Sequence, residues 1–235
     1  MDSDYLREAL AVKADLGNKK FNEGLTFTRY PVTGVRVPDI LALAKQAAKT
    51  APEAAIDMEP LTLEELLLKG ATIAFAPMTE EEKIALFDKY IDIVDDWEGC
   101  DIVFSKYVSR SDLYYATLAQ WLYSPFPFRA RCGMIGLMKN FLDAAHIGEI
   151  LNMLKRIDYS HYYVMMGGAW LLSVIYLKDK DGVLALICDS AIDKKLRLKT
   201  ISKLRDSFRV SAGDKAMLKD IAAKIKSESN SATAE

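Results

Sequence analysis

The sequence predicts an all-α fold in which antiparallel helix pairs stack side by side. Three observations indicate this fold. Apolar residues recur at helical spacing along nearly the whole chain, helix-start patterns follow one another at short intervals, and Gly and Pro are sparse, with 12 and 7 among 235 residues. The alternation of apolar and polar residues that is typical of a half-buried strand does not occur. Helices joined by short polar connections are therefore expected throughout.

Helix-start patterns and apolar spacing fix the predicted elements in order. Thr62 with Glu65, and Thr79 with Glu82, have the spacing of capping boxes, so the helices that they open form a predicted hairpin. Residues 18–30 are predicted as a loop or short helix, and a polar connection that carries Pro52 and Pro60 is predicted after residue 47. Predicted helices cover residues 6–14, 40–47, 62–75, 79–93, 97–108, 111–122, 128–142, 143–154, 161–177, 179–188, 192–208 and 211–225. We expect one domain over 1–226 and a disordered tail over 227–235.

Two of these helices, 128–142 and 161–177, are almost wholly apolar, and each is followed by an amphipathic helix. A helix that is apolar around most of its circumference is covered on several sides, as the inner helices of stacked pairs are. Trp97, Arg131 and Trp170 recur on successive candidate inner helices, with gaps of 34 and 39 residues. These gaps are close to the repeat length of HEAT and armadillo proteins, which predicts a HEAT-like or armadillo-like α-solenoid.

The charge balance bears on possible partners. The chain has 31 Lys and Arg against 33 Asp and Glu, a net charge of −2, which argues against tight binding of nucleic acid by the whole surface. A phosphate responds to the electrostatic potential close to it, however, so basic residues that line an inner groove are compatible with binding of nucleic acid. Basic residues concentrate between positions 194 and 226. They form either a solvated face or a wall that contacts phosphates.

Cysteine and histidine usage gives no sign of a disulfide framework or a metal site. Cys100, Cys132 and Cys188 are odd in number, widely separated and set in apolar helical patterns, so we expect reduced, buried thiols. With two histidines and no Cys-x-x-Cys, neither a metal nor another cofactor is expected. The first residues lack a signal-peptide pattern, and no apolar stretch is long enough for a membrane span. We expect a cytoplasmic monomer.

Taken in order, five segments resemble the DNA alkylation repair family, specifically its HEAT-like DNA glycosylases of the AlkD type. They are Gly34-Val-Arg-Val-Pro38, Asp96-Trp-Glu-Gly-Cys-Asp101, Arg131, Gly168-Ala-Trp170 and Ser207-Phe-Arg-Val-Ser211. The first is interpreted structurally, because Gly34 permits an unusual turn and Pro38 suits a helix start. The resemblance implies a solenoid that holds duplex DNA on its concave face and releases N3- or N7-alkylated purines.

The implied chemistry needs few residues. An N3- or N7-alkylated purine is already cationic and leaves without a strong general acid, so the remaining task is to stabilise an oxocarbenium-like sugar. A carboxylate near the anomeric carbon does this and orients a water, and Asp101 is the candidate. Trp97 lies one helical turn earlier and would pack on the deoxyribose, with Trp170 as a facing wall. Arg131 matches the family's functional arginine and would bind a phosphate beside the lesion. Where many relatives have adjacent arginines, Ala130 precedes Arg131 here.

Each candidate has a structural alternative. Trp97 and Trp170 also suit packing between helices. Asp101 also suits a helix start or a satisfied buried carboxylate, and Arg131 suits pairing with an interior carboxylate. For the whole protein, the alternative is a non-catalytic scaffold of the same fold that binds DNA or protein, because a fold is shared more widely than an activity.

Overall fold

The computed structural model describes residues 1–228, which fold into α-helices joined by short connections. The prediction of an all-α, solenoid-like fold is confirmed. The chain packs as two compact units, Met1–Trp121 and the described residues from Leu122 onward, and the single domain expected over 1–226 stays a prediction.

The first unit contains α1 (Ser3–Ala11), α2 (Leu16–Glu23), α3 (Val37–Thr50), α4 (Pro52–Ile56), α5 (Leu63–Phe75), α6 (Glu80–Ile91), α7 (Trp97–Phe104) and α8 (Asp112–Trp121). The second contains α9 (Pro127–Asn140), α10 (Ile147–Leu154), α11 (Tyr162–Ile175), α12 (Lys180–Cys188), α13 (Lys194–Asp206) and α14 (Ala212–Ser227).

In the first unit, α5 is the central helix. Eleven of its thirteen residues are buried, because α3, α4, α6 and α7 all pack against it, while α8 packs on α6. The predicted starts of this hairpin are confirmed. The Thr62 hydroxyl accepts the N–H of Glu65, and Thr79 forms a complete capping box with Glu82. Helix α7 is thus held against the most buried helix of the unit.

In the second unit, α11 has the corresponding position. It packs against α9 and α13, while α12 packs on α13 and α10, and α14 packs on α13. The two nearly apolar helices that the sequence predicts are α9 and α11, and both contribute most of their residues to the core. The expectation that they are covered on several sides is confirmed.

A close approach between α11 and Tyr159 depends on Gly168. A Cβ at this position would lie 2.6 Å from the Tyr159 ring and 3.3 Å from Leu196. Because Tyr159 is itself buried, the ring has little room to move. We expect Gly168→Ala to destabilise the protein by about 2 kcal/mol, as overpacking of a core does.

Thermal denaturation followed by circular dichroism measures this effect, and Gly148→Ala is the matched control. Gly148 lies in the first turn of α10, and a Cβ there has nothing within 4 Å. The control should leave the melting temperature unchanged or raise it slightly, because alanine is the better helix former. Equal melting temperatures for Gly168→Ala and wild type would show that α11 does not need this glycine.

Three local predictions are corrected or limited. Part of the predicted polar connection that carries Pro52 and Pro60 is helical, since α4 begins at Pro52. Cys188 is exposed, whereas Cys100 and Cys132 are buried, and all three are reduced cysteines. Cys188 is the last residue of α12, where the side chain falls outside the buried face. The predicted tail 227–235 lies mostly outside the described residues, although Ser227 ends α14 and Glu228 accepts two bonds from Arg197.

Among the described residues, the helices are all too short or too polar to cross a lipid bilayer.

Candidate functional site

The start of α7 is fixed by Asp96, which is fully buried. Its carboxylate accepts the backbone N–H of Glu98 at 3.1 Å as the N-cap, and that of Phe27 at 2.9 Å. One carboxylate therefore satisfies the end of the helix and also holds the segment that follows α2. The first residue of α7 is Trp97, so this arrangement sets the position from which the candidate tryptophan projects.

Trp97 is half-buried and is fastened to the same segment. Its indole N–H donates to the carbonyl of Leu25 at 3.2 Å. Asp95 completes the attachment, accepting the Thr28 hydroxyl at 2.6 Å and the N–H of Arg29 at 2.9 Å. The acidic run before Trp97 thus binds backbone and hydroxyl donors, and the guanidinium of Arg29 lies 3.7 Å from the Asp95 carboxylate.

Asp101 lies four residues after Trp97 on α7, so the two side chains project from the same side of the helix. Asp101 is half-buried, whereas Glu98, one turn earlier, is only 4% exposed. Burial is the main cause that raises the pKa of Glu98, and together with the negative charges of Asp96, Glu64 and Asp101 it brings that pKa to about 7. At neutral pH, Asp101 is therefore accompanied by a carboxyl group that is protonated for much of the time.

Glu64 holds the turn before α3. This buried carboxylate on α5 accepts the N–H of Thr33 at 3.0 Å and of Gly34 at 2.6 Å. Gly34 has φ 89°, and a Cβ there would lie 2.2 Å from the carbonyl oxygen of Asp15, so only glycine fits. The predicted unusual turn is confirmed, and Pro38 lies in the first turn of α3 as expected.

Arg131 is a buried residue of α9, with 6% of its surface exposed. Its guanidinium donates to the backbone carbonyl of Tyr163 at 2.9 Å and lies 5.9 Å from the centre of the Tyr163 ring. Tyr163 belongs to the first turn of α11, so Arg131 links two neighbouring helices of the second unit. The neighbouring Arg129 is half-buried.

Trp170 lies on α11, two turns after Tyr163, and is half-buried. Its carbonyl accepts the Ser173 hydroxyl at 2.7 Å. The two glycines before it allow close packing: a Cβ at Gly167 would lie 3.0 Å from the sulfur of Met134 and 3.5 Å from Arg131. The second unit therefore brings Arg131 and Trp170 onto adjacent helices, as the first unit brings Trp97 and Asp101 onto one helix.

Comparison with known proteins identifies the family. The family model described as DNA alkylation repair enzyme matches residues 6–199, which is most of the chain. The chain belongs to this family. No curated protein and no solved structure matches it at a significant level. Membership of the DNA alkylation repair enzyme family supports a role in the repair of alkylated DNA, with DNA as the substrate.

The sequence did not single out Glu98, in the first turn of α7, or Glu64 on α5, whose charge helps to raise the pKa of Glu98. Glu98 lies inside the quoted motif Asp96–Asp101, and Glu64 belongs to a capping-box segment, so both positions had an adequate local explanation. Their neighbours in the chain do not distinguish them, since Glu64 precedes Glu65 and Glu98 lies between Asp96 and Asp101. Within residues 1–228, no three His, Cys, Asp or Glu side chains converge in an arrangement that would hold a metal ion.

Proposed function

We propose that this protein is a DNA glycosylase that removes N3- and N7-alkylated purines from duplex DNA. The observation that carries the proposal is the pair formed by Trp97 and Asp101. The two half-buried side chains project from one side of a helix whose start is fastened by a buried N-cap. A preorganised carboxylate beside an aromatic face is the arrangement that stabilises a developing positive charge. Family membership supports the choice of alkylated DNA as the substrate.

In the proposed reaction, the glycosidic bond breaks and its electron pair moves to the alkylated purine, which leaves as a neutral base. The sugar becomes oxocarbenium-like, and the Asp101 carboxylate stabilises its positive charge. Water adds to the anomeric carbon and gives up a proton to the carboxylate or to solvent. We propose that Trp97 packs against the deoxyribose, which its π face favours as positive charge develops, and that Trp170 provides a second aromatic contact.

For Arg131, we propose a contact with a backbone phosphate. Its burial and its bond to Tyr163 supply a rival explanation, in which the side chain only fixes the start of α11. Arg131→Gln separates the two. A phosphate contact predicts weaker DNA binding and a slope of log K against log salt that is smaller by about 0.9, because one fewer counterion is released.

The measurement is fluorescence anisotropy with a labelled duplex at several salt concentrations, alongside the melting temperature of each variant. Arg129→Gln is the matched control, since it removes the same charge two residues away on α9. If Arg131→Gln lowers the melting temperature but keeps the wild-type salt slope, Arg131 is a structural residue and the phosphate contact is wrong.

The proposed activity is tested by incubating the protein at low salt with methylated duplex DNA. Free N7-methylguanine and N3-methyladenine are then quantified by liquid chromatography. Asp101→Asn, purified identically, controls for spontaneous depurination and for contaminating glycosylases. Base release by the wild type above the level of this control supports the glycosylase, and no release by folded wild type contradicts it.

A non-catalytic scaffold that binds DNA or protein is the second candidate. It is favoured by the net charge of −2 and by the burial of Arg131, which limits its access to a phosphate. The scaffold predicts that methylated and unmethylated duplexes bind equally and that neither loses a base. Release of alkylated purines would exclude it.

A further inference from the structure

Positive charge is concentrated in one hairpin of the second unit. Residues 194–227, which contain α13 and α14, carry eleven Lys and Arg and three Asp, a net charge of +8. The rest of the chain carries twenty Lys and Arg and thirty Asp and Glu, a net charge of −10. The slightly acidic overall balance therefore conceals a strongly basic segment. Such a separation of charge favours the approach of a polyanion to one part of a protein.

Several of these cations converge on a cleft between α13 and α14. The cleft has a volume of 340 Å³ and is lined by Arg205, Lys215 and Lys219, together with Ser202, Asp206 and Ala216. Of the three cations, Lys215 and Lys219 come from different turns of α14, and Arg205 comes from the last turn of α13. Within residues 1–228, none of these three cations makes an ion pair. Their charge is therefore available to a ligand.

Other cations of the hairpin already serve the fold. The Arg197 guanidinium is buried, donating to the Ile187 carbonyl and, through two N–H groups, to the Glu228 carboxylate at 2.8 and 2.9 Å. Lys194 donates to the carbonyl of Glu228 at 2.8 Å. The structural cations therefore lie at the start of α13, whereas the ligand-accessible cations are Arg205 at its end and Lys215 and Lys219 on α14.

The turn between α13 and α14 adds an aromatic side chain beside these cations. Phe208 is fully exposed, at 102% of its reference surface, and Arg209 follows it. The turn itself is anchored, because Val210 is buried and the Ser207 hydroxyl accepts the N–H of Arg209 at 3.2 Å. A fixed turn that presents an aromatic ring next to positive charge is suited to a ligand that has both phosphates and flat bases.

We propose that the α13–α14 hairpin is a DNA-binding element, in which Arg205, Lys215 and Lys219 bind backbone phosphates and Phe208 contacts a sugar or base. The choice of DNA as the polyanion rests on the proposed function. The choice of this hairpin as the binding site does not rest on the proposed function, because the residues that line the cleft follow the segment 6–199 that the family model matches. The cleft joins cations from two helices, which suits successive phosphates along a strand.

The test compares the affinity of wild type and of the triple variant Arg205→Gln/Lys215→Gln/Lys219→Gln for an undamaged duplex, by fluorescence anisotropy from 50 to 200 mM salt. Loss of three phosphate contacts should weaken binding at the lowest salt by about 10- to 100-fold and reduce the salt slope by about 2–3. Circular dichroism establishes that the variant is folded, as expected for substitutions of solvent-accessible side chains.

Lys49→Gln/Lys89→Gln/Lys155→Gln is the matched control, because it removes the same net charge from exposed positions outside the hairpin. It should retain the wild-type slope. Phe208→Ala should weaken binding by about fivefold and leave the slope unchanged, since it releases no counterion. Equal slopes for the cleft variant and wild type, or equal losses in the cleft and control variants, would overturn the proposal.

Failure of this inference and failure of the proposed activity have different outcomes. If the wild type releases alkylated bases while the cleft variant binds DNA as tightly as wild type, the hairpin proposal is wrong and the glycosylase stands. If the wild type releases no base while the cleft variant loses affinity and slope, the activity is wrong and the hairpin stands. A wild type that binds no duplex at 50 mM salt overturns the hairpin proposal directly.

Discussion

Replacing Asp101 by asparagine is expected to slow the release of N7-methylguanine by about 10²- to 10³-fold, the usual effect of removing one preorganised electrostatic group from an active site. The amide has nearly the same shape as the carboxylate but carries no net charge. It can still contact water, yet it cannot offset the positive charge of an oxocarbenium-like sugar. Binding of undamaged DNA should change little, because the charge matters in the transition state and not in the ground state.

Single-turnover base release, with protein in excess over methylated duplex, measures this effect without a contribution from product release. Asp112→Asn is the matched control, since Asp112 is an exposed carboxylate in the first turn of α8. The control should keep the wild-type rate. If Asp101→Asn and Asp112→Asn both retain it, the catalytic carboxylate has been assigned to the wrong residue.

The sequence was a good guide where a feature is encoded locally. Thr79 and Glu82 specify a capping box within four residues, and the structure forms it. Gly34 was predicted to permit an unusual turn, and it has the positive φ that glycine tolerates. The nearly apolar helices were predicted within two residues of their observed ends. These features depend on side-chain type and spacing alone.

Features that depend on distant partners were not predictable in the same way. The carboxylate of Asp96 holds Phe27, which lies 69 residues earlier in the chain. Arg131 was expected to contact a phosphate or an interior carboxylate, and the structure shows its bond to a backbone carbonyl of the neighbouring helix. No spacing rule pairs an arginine with a carbonyl 32 positions away, because such a contact is created by helix packing.

Glu98 illustrates the same limit for electrostatics. From the sequence it is an acidic residue in the first turn of a helix, where a negative charge is favourable. In the structure it is buried on α7, within the electrostatic reach of Glu64 on α5. Packing of α5 against α7 thus reverses the local expectation, and the neutral form of Glu98 becomes the favoured one up to about neutral pH.

Replacing Glu98 by glutamine is therefore expected to stabilise the protein at pH 8 by about 3 kcal/mol, and to have almost no effect near pH 4.5. The pKa of Glu98 rises from its ordinary 4.5 to about 7 in the folded chain. Between these values the folded state binds a proton that the unfolded state has lost, so the free energy of unfolding of the wild type falls as pH rises. Glutamine is neutral at every pH, so the Glu98→Gln variant does not lose free energy of unfolding in this way as pH rises.

Chemical denaturation at pH 5, 6, 7 and 8 measures the difference, with Glu8→Gln as the control because Glu8 is an exposed residue of α1. The denaturation midpoints of wild type and Glu98→Gln should diverge with rising pH, whereas those of wild type and Glu8→Gln should stay parallel. Asp101→Asn should reduce the divergence, since the charge of Asp101 is one cause of the raised pKa of Glu98. Parallel midpoints for Glu98→Gln would mean that Glu98 ionises without cost, and that Asp101 has a charged neighbour at neutral pH.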